Sequence, residues 1–389
     1  MSSRRARPRR ILFASYWWLE ELMCRVAHHA TRRGWHLDLQ MCLTNEPPKS
    51  WSGDGIITTQ SGDHEMVRAL LTGSGCPVVS LNLNSHPHGI PCVAFDLPAA
   101  SRLAVAHFLE RGFSRFAFYC RPHQGRILYA TQLALTAFRQ RVESAHQTCE
   151  NLDWLKARGD APDTWDQRQQ WLRRTLRNLP KPLALFAHEP DCAVEVVEAC
   201  HHAHLNIPDQ VAVLCMHGIE FFNQCSPVPL SSIDVDNDAK ARTACDLLDA
   251  MMKGAPAPEA PILIPPKGLT ARASTETLAA STPAVTKAIR YMLDHYAEPI
   301  SIEDAARVSG LSRTGLFRAF RTDLGQTPRV VLTRIRLDKA KMMVRGTDAK
   351  LREVALACGF GDSTHFGKVF RAEMGVSPRA YQRGARAAT

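Results

Sequence analysis

Among the twelve cysteines of this 389-residue chain there is not one C-x-x-C pair. That excludes the common zinc and dithiol motifs, and single placement inside apolar runs such as Val213-Leu214-Cys215-Met216 reads as buried free thiol. No apolar run approaches the ~18 residues of a membrane span. The basic start (Arg4, Arg5, Arg7, Arg9, Arg10) is followed by an apolar run that ends at Glu20-Glu21 without a small-residue cleavage site, so no secretory leader and a cytoplasmic location are expected. G-x-G-x-x-G, P-loop, H-E-x-x-H and G-x-S-x-G patterns are missing as well. An enzyme would then rest on scattered His and Asp that nothing orders; no catalytic residue, metal or cofactor is expected.

What is present is charge, unevenly placed. The net charge of +10 divides into five Arg and no acid in residues 1–10, 19 Lys+Arg against 10 Asp+Glu in residues 282–389, and 24 basic against 28 acidic groups between. Neutralising phosphates takes clustered Lys and Arg, so the last quarter is the nucleic-acid candidate and the body is not.

From residue 10 to about 268, short apolar runs alternate with amphipathic stretches. Strands are predicted at 10–15, 35–40, 55–59, 77–81, 92–95, 116–120, 183–187 and 211–216, with helices at 18–33, 64–71, 99–111, 131–144, 166–178, 192–204 and 239–252. Runs of Val, Ile, Leu and Phe without polar interruption suit parallel strands covered on both faces. The alternation predicts doubly wound α/β structure, with ligand beyond the carboxyl ends of the strands. Ile262-Leu263-Ile264 is a candidate edge strand. Residues 269–281 are small, polar and aperiodic, and read as a linker; residues 1–9 read as a disordered basic arm.

Beyond the linker the pattern is wholly helical and repeats. Ile302-Glu303-Asp304-Ala305-Ala306-Arg307-Val308-Ser309-Gly310-Leu311 is followed by Phe320, Gly325 and Pro328-Arg329. About 50 residues later, Leu351-Arg352-Glu353-Val354-Ala355-Leu356-Ala357-Cys358-Gly359-Phe360 is followed by Phe370, Gly375 and Pro378-Arg379. Thr282-Pro283 has the form of a helix cap, and Ser301 with Asp304 that of a capping box. In each copy a glycine supplies the turn, an alanine admits a close helix crossing, and Leu316/Phe320 or Phe366/Phe370 face inward. The opposite faces present Ser312, Arg313, Thr314, Arg318 and Arg321 in the first copy, and Ser363, Thr364, His365, Lys368 and Arg371 in the second. These side chains contact base edges and phosphates when a recognition helix enters the major groove.

The stretch Arg334-Ile335-Arg336-Leu337-Asp338-Lys339-Ala340, then Glu353 to Phe360, Phe366, Val369-Phe370-Arg371, Gly375 and Ser377-Pro378-Arg379-Ala380-Tyr381 resembles the AraC/XylS DNA-binding domain over residues 282–384, leaving 385–389 as a tail. The resemblance implies two helix-turn-helix units joined by a long helix at 327–345, with activation of transcription through RNA polymerase. Arg115-Phe116-Ala117-Phe118-Tyr119, Ala137-Phe138-Arg139-Gln140, Leu205-Asn206-Ile207-Pro208 and Pro229-Leu230-Ser231-Ser232 resemble the LacI-type, periplasmic-binding-protein-like effector domain over residues 10–268. The fold expected is therefore a two-lobed α/β sensor followed by an all-α double helix-turn-helix domain, similar to sugar-operon regulators with an AraC-type reader, working as a homodimer on double-stranded DNA. The lobes are expected to break near 113 and 235.

Strand ends nominate Tyr16, Trp17, Asp96, Arg121, Arg126, His188, Glu189 and His217 for a small-molecule effector. Sugar sites use planar polar groups and a stacking ring. Two departures bear on a sugar: Ala134 stands where the resembled family carries an Arg, and His217 follows the 211–214 strand where a Gly-x-Asp-Asn run is usual. A sensor for a non-sugar ligand, or a domain serving only dimerisation, stays open beside a sugar sensor. Cys200-His201-His202-Ala203-His204 follow one another on a helix and point around it, so they are not expected to hold a metal.

Overall fold

A computed structural model describes residues 7–16, 20–61, 64–123, 125–280, 282–346 and 349–387. The first lobe opens with β1 (Arg10–Ala14), α1 (Glu20–Arg32), β2 (His36–Asp38), α2 (Gln40–Thr44), β3 (Gly55–Thr58), α3 (Glu65–Gly73), β4 (Val78–Ser80) and β5 (Val93–Phe95). Its strands pair in parallel in the order β2-β1-β3-β4, and a bridge from Ser80 to Cys92 carries the sheet on to β5. Ile11, Phe13, Ile56 and Ile57 are fully buried between helices, which is why these runs carry no polar residue.

The chain leaves this lobe at Phe95-Asp96, because α4 (Leu97–Glu110) packs into the second lobe through Ala100, Ala104 and Phe108. The expected break near 113 therefore lies one helix earlier. Then follow β6 (Arg115–Tyr119), α5 (Tyr129–Ser144), β7 (Thr148–Leu152), α6 (Trp154–Arg158), α7 (Trp165–Asn178), β8 (Leu183–Ala187), α8 (Pro190–Ala203), β9 (Val211–Cys215), α9 (Glu220–Cys225) and β10 (Ser231–Asp234). A second crossing near 235 returns α10 (Asn237–Met252) and β11 (Ile262–Ile264) to the first lobe, where β11 pairs with β5. A third crossing sends β12 (Gly268–Thr270) back to pair antiparallel with β10. The second sheet reads β12-β10-β9-β8-β6-β7.

Residues 269–280 of the expected linker are thus no free spacer, and Ser281 lies outside the described residues. After β12, Ser274 donates to Val213 O at 2.6 Å, and Thr275 Oγ1 lies 2.7 Å from Ser231 Oγ and 2.9 Å from His107 Nε2. Their small polar side chains read as a spacer but are buried and hydrogen-bonded. Nor is Arg9 part of a disordered arm: it ion-pairs with Asp249 at 2.7 Å, and its carbonyl accepts from His36 N.

The helical domain comprises α11 (Pro283–Asp294), α12 (Ile302–Ser309), α13 (Arg313–Leu324), α14 (Pro328–Gly346), α15 (Leu351–Ala357), α16 (Ser363–Met374) and α17 (Pro378–Ala387). α17 takes in residues 385–387 of the expected tail. It has two cores. Val285, Ile289, Leu316, Phe320 and Ile335 fill one; Leu337, Val344, Val354, Phe366 and Phe370 fill the other, so α14 serves both. The junction with the sensor is tight. Ala279 is buried in the second lobe's core, while its neighbours Leu278 and Ala280 are buried in the first helical core. Arg290 reaches Asp209 at 2.7 Å, Lys339 pairs with Glu276, and Arg334 donates to Glu110 O at 3.0 Å. Among the described residues no helix is long and apolar enough to cross a membrane.

Candidate DNA-binding surface and effector cleft

Each repeat is a helix stopped by a glycine and turned into a second helix. The αL conformation of Gly310 (φ 74°) ends α12, and Ser301 with Asp304 closes the capping box at its start. Ala306 and Ala355 are buried at the crossings, and Leu316, Phe320, Phe366 and Phe370 point into the cores. What faces away is the predicted set: Ser312, Arg313, Thr314, Arg318, Arg321, Ser363, Thr364, His365, Lys368 and Arg371 are all exposed.

Local bonding sorts these ten. Ser312 Oγ is the N-cap of α13, accepting from Gly315 N at 3.1 Å. At α16 the cap is Asp362, which accepts from His365 N at 2.7 Å and leaves the Ser363 hydroxyl unused for capping; the sequence reading missed this acid. Arg313 lies 3.2 Å from Glu303 and over the Phe317 ring. Thr282 does not cap α11 as expected; its hydroxyl donates to Asp323 Oδ1 at 2.9 Å, tying the start of α11 to α13.

In the sensor, chain order reverses between β1 and β3 in one sheet and between β6 and β8 in the other. Crevices at such switch points bind ligands. Tyr16 follows β1, half-buried against the core of the first lobe. Trp17 lies outside the described residues. Arg121 follows β6 and is held by Asp191, with Glu195 at 3.7 Å. Arg126 is exposed on the same loop, its backbone paired with His123. His188, 5% exposed, follows β8 with its ring 5.8 Å from that of Phe118, and its Nδ1 has no partner among the described residues. Burial pushes its pKa down to about 4, so the ring is neutral. Glu189 beside it is exposed and bonds no backbone N–H of α8.

Of the other two nominees, Asp96 sits at the first lobe crossing and His217 at the end of β9. Asp96 Oδ1 caps α4 by accepting from Ala99 N at 2.8 Å, and Asp96 N donates to Ile264 O at 2.8 Å. His217 is half-buried after β9, and burial chiefly lowers its pKa. Ala134 is 1% exposed in the core with Phe138 and Phe186; no guanidinium fits there without repacking. Glu189, Asp191 and Cys192 bring ligand-type atoms within 4.8 Å of one another, but Asp191 is engaged by Arg121 and burial raises the Cys192 thiol well above its ordinary pKa.

One residue at the cleft edge escaped the sequence reading: Lys240, 6% exposed, on the inner face of α10. Asn237, Lys240, Ala244 and Leu248 recur at helical spacing and are all buried. That stripe was the available signal, a lysine in line with apolar residues.

Residues 105–275 match the periplasmic binding protein-like domain family, and residues 305–384 a helix-turn-helix domain family. The chain is 27% identical over 339 residues to the xylose operon regulatory protein of Escherichia coli K12, covering 86% of this chain and 85% of that one. It is 43% identical over 94 residues to the HTH-type transcriptional activator RhaS of an Enterobacter species, 24% of this chain and 34% of the relative. In fold it is similar to the solved xylose-binding transcription activator xylR, with a TM-score of 0.64 and 24% identity over 97% of this chain and 98% of the other.

Proposed function

We propose that this chain, an AraC-type transcriptional regulator with a periplasmic-binding-protein-like effector domain, reads DNA with the exposed faces of α13 and α16 under the control of a small polyol of the sugar class held between its lobes. The observation that carries the reading is the division of labour in both repeats. The aromatic and aliphatic side chains of α13 and α16 build the cores, while Arg318, Arg321, Lys368 and Arg371 stand exposed. The names of the relatives support a sugar and an activating role. The protein acts in the cytoplasm as a homodimer, contacts RNA polymerase beside its site and catalyses no reaction. Tyr16, Asp96, Arg121, Arg126, His188, Glu189 and His217 border the effector.

Replacing Arg318 and Lys368 together by alanine should weaken operator binding and reduce the slope of log K against log salt by about 2, since each lost phosphate contact removes about 0.9. Fluorescence anisotropy of labelled promoter DNA across a salt series reads this directly. An unchanged slope rejects phosphate contact by both helices.

The junction supports a route for control. The helical domain is fastened to the second lobe, through Asp209, Glu276 and Glu110 O. Closure on an effector then moves the first lobe against a unit made of the second lobe and the reader, and biases DNA binding by its differential affinity for the two states. Asp209→Ala with Glu276→Ala should shrink the effector-dependent change in DNA affinity toward unity. Melting should shift by only a few degrees, because partly exposed ion pairs contribute at most about 1 kcal/mol each. Full retention of the effector response removes this junction from the coupling path.

A further inference from the structure

A lysine ammonium in the protein interior is retained at a cost unless an anion accompanies it. Lys240 stands one turn into α10, immediately after the crossing from β10, and its Nζ lies 4.0 Å from the centroid of Phe95, the last residue of β5 before the first crossing. Its charge is felt at His217, at the end of β9. The ammonium therefore sits where strand ends of both lobes meet.

Nothing among the described residues neutralises it. Among these residues no hydrogen bond or ion pair joins Nζ to a protein oxygen, and the side chain among them that acts on its charge is the Cys92 thiol, itself pushed up to about 11 by burial and so uncharged. Burial lowers the lysine's own pKa to about 7. Arg121, the cation that follows β6, differs in this respect, being already paired with Asp191.

We propose that Lys240 is an anion anchor in the effector site, and that the effector is a monosaccharide carrying a carboxylate, a sugar acid, rather than a neutral sugar. One ammonium against an aromatic face matches a single negative charge. A charge-assisted hydrogen bond formed away from water would supply affinity that the neutral parent sugar does not receive. This rests on the proposed effector site between the lobes and names the chemical class of its ligand.

The test is isothermal titration of the full chain and of Lys240→Met at pH 7 with D-xylonate, D-gluconate and D-glucuronate, each against its neutral parent, with D-xylose 5-phosphate as a further arm. The expected result is at least tenfold tighter binding of one carboxylate than of its parent sugar, with that preference abolished in Lys240→Met. Free of ligand, Lys240→Met should melt several degrees above the wild type, because methionine fills the same space without a buried charge. A raised melting temperature also shows that lost binding is not misfolding. Equal affinity for acid and parent, a preference for the phosphate, or unchanged acid binding by the variant overturns the proposal while sugar sensing stands. Binding of none of these compounds overturns both.

Discussion

Gly359→Ala should abolish operator binding and melt the helical domain far more severely than Gly310→Ala, although the two glycines occupy equivalent turns of the repeat. Both have positive φ, 75° and 74°, so both substitutions carry the roughly 1–2 kcal/mol strain of a side chain in the left-handed region. Their surroundings differ. A Cβ on Gly310 would meet nothing within 4 Å, whereas one on Gly359 would lie 2.1 Å from the carbonyl oxygen of Tyr296 and 2.8 Å from Arg336 Nε. Those two atoms are bonded to each other at 2.8 Å, and Arg336 also donates to Glu298 O at 2.8 Å. The turn of the second unit is thus seated on the segment that follows α11 and on the connecting helix α14. A methyl group there must push backbone away and break these bonds, adding more than about 2 kcal/mol to the strain. The second recognition helix would then lose its fixed place relative to the first. Paired thermal melts and anisotropy titrations check the contrast; equal losses in the two variants would show that Gly359 is not the seat of the second unit.

That contrast marks how far the sequence was legible. The repeat, its glycines and its exposed basic face could be read because helical periodicity and turn chemistry are local. The carbonyl of Tyr296 against Gly359 is not local, and nothing in residues 351–360 announces it. The same distinction runs through the sensor. Strands such as Leu183–Ala187, buried on both faces, declared themselves as apolar runs. Thr148–Leu152, an edge strand paired only with β6, alternates polar residues and went unread. Ser231–Asp234 opens with two serines whose hydroxyls are satisfied by Arg272 and Thr275, partners from a segment taken for a linker. In the cleft, strand ends could be nominated from pattern alone. Their partners could not, the local cap of Asp96 on α4 apart: that Arg121 is bound by Asp191 depends on the strand order of the second lobe, and that Lys240 has no anion among the described residues depends on the lobe crossings that bring distant segments together.

The other large effect is expected beneath the cleft floor. Glu195 is 1% exposed on α8, where its carboxylate accepts from Arg168 Nε at 3.0 Å and Nη2 at 2.9 Å and from the Tyr119 hydroxyl at 2.5 Å. Arg168 is bound in turn by Asp163. Removal of one member leaves the others dehydrated and unpaired, so Glu195→Leu should cost about 3–5 kcal/mol and lower the melting temperature by about 10 °C. Removing the whole set is a different matter. Buried ion pairs gain from Coulomb attraction little more than they lose in dehydration, and well-packed apolar replacements are often neutral. The triple variant Glu195→Leu, Arg168→Met, Tyr119→Phe should therefore recover most of the loss, since Asp163, partly exposed, can be hydrated and Arg121 keeps Asp191. A non-additivity of several kcal/mol between single and triple variants, read from thermal or denaturant melts, is the signature of a coupled cluster. Losses that simply add would mean that each side chain stabilises the second lobe by packing alone. Arg121 Nη1 stands 3.7 Å from the same carboxylate, so effector affinity in the triple variant measures how far this buried cluster positions the arginine at the cleft edge.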